Sequence, residues 1–234
     1  ATLYLQKGKI ELAIDNLNVA INIFQEFKYV PKYAYALGNL GNAYQVKGDI
    51  EKAIEYHKQA LAISQTILDH LNIAHWTGAL AHDYVYLEDF ANARENYKNC
   101  LMMSRNIGSS SLEARCLQGL GLIYRNESEL KLSNECFEKA LTISHSLADI
   151  GLQGTCLLNL GQNYIDQDNN IHAKKYLEQA LQIAYQTHDT LLEAHVLWQI
   201  GIIYEQTNLD NAFHYLNDSV AILERIGIAV GQER

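Results

Sequence analysis

Nine histidines and four cysteines are the residues of this chain with the most chemistry in reach. His75 and His82 stand seven apart, a spacing that puts both on one helix face. Two imidazoles alone do not make a metal site. No HExxH is present, and no Cys/His cluster has zinc spacing. Gly119-Leu120-Gly121 begins like a dinucleotide fingerprint, but Tyr124 stands where the third glycine belongs and no strand precedes it. Neither a P-loop nor a GxSxG elbow occurs. Asn126-Glu127-Ser128 and Asn217-Asp218-Ser219 are formal glycosylation sequons, which mean little without a secretory signal. The expectation is a chain without catalysis, metal or cofactor.

Cys100, Cys116, Cys136 and Cys156 form no CxxC pair. They read as small core residues kept reduced in a cytosol, so a cytoplasmic protein is expected. The competing reading is a redox pair between Cys116 and Cys156, which would need their Cα atoms closer than neighbouring repeats usually allow. Charge excludes other classes. The net charge is −9, and it is uneven: residues 1–120 carry 11 basic and 12 acidic side chains, residues 121–234 carry 7 and 15. An acidic chain without basic stripes argues against nucleic acid and against an anionic membrane surface. No apolar run is long enough to span a bilayer.

The elements that position these residues repeat. The stretch Tyr35–Ile63 returns when shifted by 40 residues: Gly41, Tyr44, Ala53 and Leu61 become Ala81, Tyr84, Ala93 and Leu101, then Gly121, Tyr124, Ser133 and Leu141, then Gly161, Tyr164, Ala173 and Leu181. Gly201, Tyr204 and, one residue early, Ala212 follow. A fixed period of this size means stacked helix pairs. First helices of each pair are expected near 33–46, 73–86, 113–126, 153–166 and 193–206, second helices near 10–27, 50–67, 90–107, 130–147, 170–187 and 209–226. Pro31 suits a helix start. Asp69, Asp149 and Asp189 are in register as helix caps, with Ser109 at the fourth site. In the turns inside each pair, Lys47-Gly48-Asp49 supplies a glycine for positive φ, and asparagines can replace it in later copies. The residues expected at the small position let the two helices approach; the tyrosine three residues on packs along the same face.

The order small-x-x-Tyr, turn, Ala, then Ala-Leu-x-Ile resembles the tetratricopeptide repeat, in a form longer than the usual 34 residues. With Asn-Leu-Gly-x-x-Tyr in the first helix it is similar to the repeats of the LGN/Pins scaffold family. Similar arrays occur in bacterial regulators and kinesin light chains. The resemblance implies an all-α, right-handed α-solenoid over residues 1–234. Its pieces would be a partial repeat 1–32, repeats near 33–72, 73–112, 113–152, 153–192 and 193–231, and the start of another at 232–234. It implies a protein-interaction scaffold that binds a peptide or partner protein in a groove lined by the first helices, or a sensor segment of a larger signalling protein. The groove positions would be Tyr35, Asn39, Asn42 and Gln45; His75, His82 and Tyr86; Gln118 and Arg125; Thr155, Asn159, Gln162 and Asp166; His195, Gln199 and Glu205. Arg125 is the strong cation of that set. An amide offers a donor and an acceptor, so it can pair with any peptide unit. The acidic second half implies a partner with a basic end. Cut repeats at both ends would leave apolar faces open to end-to-end self-association.

Overall fold

The structure is a computed structural model and describes residues 9–205 and 207–227. The described residues form helices and turns. They are α1 (Ile10–Glu26), α2 (Val30–Lys47), α3 (Ile50–Thr66), α4 (His70–Tyr86), α5 (Phe90–Asn106), α6 (Ser110–Asn126), α7 (Leu130–Leu147), α8 (Ile150–Asp166), α9 (Asn170–Thr187), α10 (Thr190–Glu205) and α11 (Leu209–Arg225). The even-numbered helices are the first helices of each repeat, called A helices below; the odd ones are B helices. The repeat pieces expected at residues 1–8 and 228–234 lie outside the described residues.

B helices start where the repeat frame puts them, but A helices start three residues sooner, at Val30, His70, Ser110, Ile150 and Thr190. The reason is local. Asp69 and Asp149 sit immediately before α4 and α8, and their carboxylates accept from the backbone N–H of Asn72 and Leu152, at 3.2 and 3.0 Å. Asp189 does the same for Leu192 at 3.0 Å. A side chain that satisfies an otherwise orphaned N–H defines where the helix begins. Pro31 lies in the first turn of α2.

The turns depart from expectation. One left-handed residue recurs every 20 positions: Lys28, Gly48, Leu68, Glu88, Gly108, Ser128, Ala148, Asp168 and His188. Asparagine does not replace Gly48. Instead Asn169 and Asn208 cap the next helix, accepting from the N–H of His172 and Asn211. The left-handed position falls on Glu88, Ser128 and Asp168 because helix length is set by packing on both sides, which overrides a local preference of about 1 kcal/mol.

The chain divides into two compact units, Ala1–Ile123 and Tyr124–Arg234. In the first, α2 packs on α1, α3 and α4, and α4 on α3 and α5. Its core joins Ile14, Leu17, Leu40 and Ala43, and a second cluster joins Leu37, Ala60 and Trp76. In the second, α8 packs on α7 and α9, and α10 on α8, α9 and α11. Its core runs through Leu157, Leu177, Val196 and Ile200. The close approach at the small position is visible in both. A Cβ on Gly41 would meet the His57 ring at 2.6 Å, one on Gly161 would meet Leu177 at 2.7 Å, and one on Gly201 would meet Leu216 at 2.7 Å. The repeated tyrosines are packing residues: Tyr44, Tyr164 and Tyr204 stack on Tyr56, Tyr176 and Tyr215 of the following B helix, 5.4 to 5.6 Å between centroids.

Candidate functional site

In the first unit, Tyr35 is exposed on α2 and its ring lies 5.9 Å from that of Trp76. One turn on, Asn39 Nδ2 donates to the Tyr35 carbonyl at 2.9 Å, which leaves its oxygen free as an acceptor. Asn42 and Gln45 are half-buried and have different partners. Asn42 Oδ1 lies 3.1 Å from His57 Nε2, and Gln45 Nε2 donates to Asp83 Oδ1 at 2.5 Å. His57 Nδ1 is 2.6 Å from Asp83 Oδ2. Both side chains of that pair are 0% exposed. Three successive helices therefore meet at one polar knot: α2 through Asn42 and Gln45, α3 through His57, α4 through Asp83. The His57 ring also stacks on Trp76, 5.9 Å away with planes 19° apart.

His75 and His82 lie on α4 beside this knot. His75 sets its edge to Trp76 at 4.4 Å, and His82 to Tyr86 at 5.0 Å. Burial pushes both imidazoles below their ordinary value, and the charges of Arg115 and His57 add to that for His75. For His82, Asp83 opposes the shift. They do not converge on a common point with a third ligand: among the described residues, no group of three or more His, Cys, Asp or Glu is placed to hold a metal. Gln118 is half-buried on α6.

In the second unit, Arg125 does not stand open as a free cation. Its guanidinium donates to Gln162 Oε1 and, at 3.2 Å, to Asp166 Oδ2. Three groove residues thus satisfy one another. Thr155 Oγ1 donates to the Leu152 carbonyl at 3.1 Å, and Asn159 Nδ2 to the Thr155 carbonyl at 2.7 Å, as in Asn39. His195 is exposed and Gln199 half-buried on α10, where Glu205 is also exposed. A second buried amide, Asn163, is 0% exposed and donates to Ser133 Oγ and Asn134 Oδ1 at 2.7 and 2.8 Å.

The sequence reading missed His57, Asp83, Trp76 and Arg115. The signal for the first two was present. The slot of His57 holds Leu17, Tyr97, Phe137 and Leu177 in other repeats, and that of Asp83 holds Ala43, Ile123, Asn163 and Ile203. A polar residue in an apolar slot has to find a buried partner. Arg115 occupies the position of Tyr35 and His75 one repeat later, is exposed, and has no ion pair among the described residues. It, rather than Arg125, is the open cation of the A-helix positions.

Cysteine chemistry is muted. Cys100, Cys116 and Cys156 are buried and Cys136 is half-buried. The thiol neighbour of Cys116 is Cys100, to which it is hydrogen-bonded, and that bond and burial raise the Cys116 thiol above its ordinary range. Burial pushes Cys156 up to about 12. Buried thiols held above their ordinary range, as those of Cys116 and Cys156 are, are poor nucleophiles. None of the described helices is long and apolar enough to cross a membrane.

A family model described as "Tetratricopeptide repeat" matches residues 1–66, 32–103 and 152–225, and a second of the same description matches residues 114–145. No curated protein sequence is similar enough to count as a match. Among solved structures, BtubC (BKLC) from P. vanneervenii superposes with a TM-score of 0.78 at 19% identity, over 96% of this chain and 95% of that one. A Rap protein complexed with Competence and Sporulation Factor gives 0.83 at 14% identity, over 96% of this chain and 62% of that one. A Signal Transduction ATPase with Numerous Domains from Pyrococcus horikoshii, which carries a tetratricopeptide repeat sensor, gives 0.75 at 21% identity, over 95% of this chain and 34% of that one. At these identities the likeness is one of fold, an all-α repeat solenoid.

Proposed function

Since the chain belongs to the tetratricopeptide repeat family, we propose that it is a non-catalytic interaction scaffold that takes a peptide or an extended segment of a partner protein on its A helices. The observation that carries this reading is the state of the amides. Asn39, Asn42, Gln45 and Asn159 each spend one half of the amide on the protein, and the other half has no hydrogen-bond partner among the described residues. Half-used amides match a peptide backbone, which needs one donor and one acceptor per unit whatever its sequence. The Rap structure, solved with Competence and Sporulation Factor bound, supports the reading as a precedent in a protein of similar fold. Tyr35, His75, His82 and Arg115 would contact partner side chains in the first unit. Gln118 would join them in the first unit, and Thr155, Gln162, His195 and Gln199, with Arg125, would do so in the second. Nucleic acid is not the partner. The repeat frame runs through both units, and we read residues 1–234 as one array in a cytoplasmic protein.

The test is selection of binders from a displayed library of random peptides, followed by titration of the winner into Asn39→Ala, Asn159→Ala and a Lys98→Ala control on α5. Each amide variant should lose about 1–3 kcal/mol of binding if a buried peptide group loses its partner, with the melting temperature unchanged. Equal affinity in all three would show that the A helices are not the site.

A second reading has one observation in its favour. The Pyrococcus horikoshii protein holds its tetratricopeptide repeats as the sensor of a larger ATPase. On that reading the array here gates another domain, and a bound peptide would change that domain's activity. Self-association is a third element of the proposal: α11 exposes Leu209 and Phe213 at 73% and 70%, side chains a second copy would cover.

A further inference from the structure

The buried pair His57–Asp83 has no task in the reading above beyond packing, yet it touches two of the amides that the reading uses. Asp83, as a carboxylate, can only accept hydrogen bonds. Both of its neighbours must therefore donate, so Gln45 turns its Nε2 inward at 2.5 Å. Its Oε1 is then left facing away from the knot. Asn42 is set differently. With its Oδ1 3.1 Å from His57 Nε2, the ring must donate there while Nδ1 donates to Asp83 at 2.6 Å. Two donating nitrogens mean an imidazolium. Asn42 then keeps Nδ2 free. Neither Asn42 Nδ2 nor Gln45 Oε1 is a buried orphan, and neither has a partner among the described residues.

We propose that His57 and Asp83 are positioning residues that fix the hydrogen-bonding direction of the groove: Asn42 presents a donor and Gln45, one turn on, an acceptor, so that a peptide unit is taken in one direction only. The proposal rests on the peptide-binding reading and adds a switch to it. A neutral His57 that still donates from Nδ1 to Asp83 must accept at Nε2. Asn42 would then turn its Nδ2 inward and show its oxygen to the partner. The charge on one buried ring decides whether Asn42 donates or accepts, whereas Gln45 is insensitive to it. The groups around the ring are few. From α2 it faces Asn42 and Gly41, which do not titrate. From α4 it faces Asp83 and Trp76, with His75 and His82 close enough to feel its charge. Tyr97 of α5 feels Asp83, and Arg115 of α6 feels His75.

The first arm of the test needs no ligand. In the whole labelled chain, nitrogen-15 spectra of the His57 ring and the Asn42 and Gln45 side-chain amides are followed from mildly acid to mildly alkaline pH. The expected result is two protonated ring nitrogens with rapidly exchanging Asn42 amide protons. Loss of the Nε2 proton should then protect the Asn42 amide and leave Gln45 protected throughout. A His57 neutral at every pH, or an Asn42 amide that ignores the ring's charge, overturns the proposal. The second arm uses the library-selected peptide and versions with one backbone amide replaced by an ester, against wild type and His57→Leu/Asp83→Ile. Those replacements are the residues that other repeats carry in the same slots, Leu177 and Ile123. Wild type should bind the peptide about two- to tenfold more weakly once His57 is neutral, and the double variant should show no such pH step. The same pH step in both proteins overturns the proposal while leaving peptide binding intact. Failure of any peptide to bind removes the peptide reading, and the first arm still decides the orientation of the amides.

Discussion

Breaking the His57–Asp83 pair one residue at a time should be worse than removing it whole. Both side chains are fully buried and 2.6 Å apart. Asp83→Ile leaves an imidazole with an unpaired Nδ1 and frees Gln45; His57→Leu leaves a carboxylate with Gln45 as its remaining hydrogen-bond donor. Each single change leaves the surviving buried polar group without its partner, for which the expected loss is about 1–3 kcal/mol. The double change gives these two slots the residues of Leu177 and Ile203, which share one buried apolar cluster at 0% and 9% exposure. Asn42 and Gln45 are half-buried and can turn to water. Replacement of a buried pair by packed apolar residues is often neutral or stabilising, so the double variant should lie within about 1 kcal/mol of wild type. The singles thus sum to about 2–6 kcal/mol, against about 1 for the double. Urea unfolding, followed by Trp76 fluorescence in a Trp198→Phe background, reads the first unit directly. Singles that lose less than about 1 kcal/mol, or a double that loses as much as their sum, would refute the idea that this knot is a coupled buried pair.

Three further outcomes are expected. Stability should fall as pH drops: His75 and His82 are held below their ordinary value of 6.5 by burial, so below about 6.5 the unfolded chain binds protons that the folded chain does not. The contribution is present above that value and lost as pH falls through the folded ones; a His75→Gln/His82→Gln variant should flatten the acid limb of urea midpoint against pH. Gly119→Ala should cost about 1–3 kcal/mol by overpacking, because its Cβ would lie 2.2 Å from the buried Tyr97 ring. Gly151→Ala, whose Cβ meets nothing nearer than 3.8 Å, should be neutral or gain up to about 1 kcal/mol, and thermal melts of the two compare them. Phe213→Ser should lower any concentration-dependent association seen by sedimentation velocity, and an unchanged sedimentation profile would remove α11 as the contact.

The repeat frame was legible in the sequence because its determinants are local and periodic. Gly41, Gly161 and Gly201 with Tyr44, Tyr164 and Tyr204 recur at one spacing, and each needs only its own B helix to be understood. The aspartate caps were readable for the same reason, since an N-cap bonds three residues ahead. The turns were readable less well: which residue takes positive φ is decided by where packing ends the helix, so Glu88 and Ser128 are left-handed against their preference. Helix faces could be assigned from period alone, which placed Asn39 and Asn159 correctly on the A helices. What period cannot supply is the partner across 15 or 38 residues. Asn42 and Gln45 look alike in sequence, two polar residues on one exposed stripe. Only the tertiary structure brings His57 to one and Asp83 to the other, and so decides which atom each spends within the fold. Arg125 shows the same limit in reverse: the sequence displays a lone cation, and the fold sets it between Gln162 and Asp166, because a guanidinium with several donors binds whatever acceptors packing places within reach.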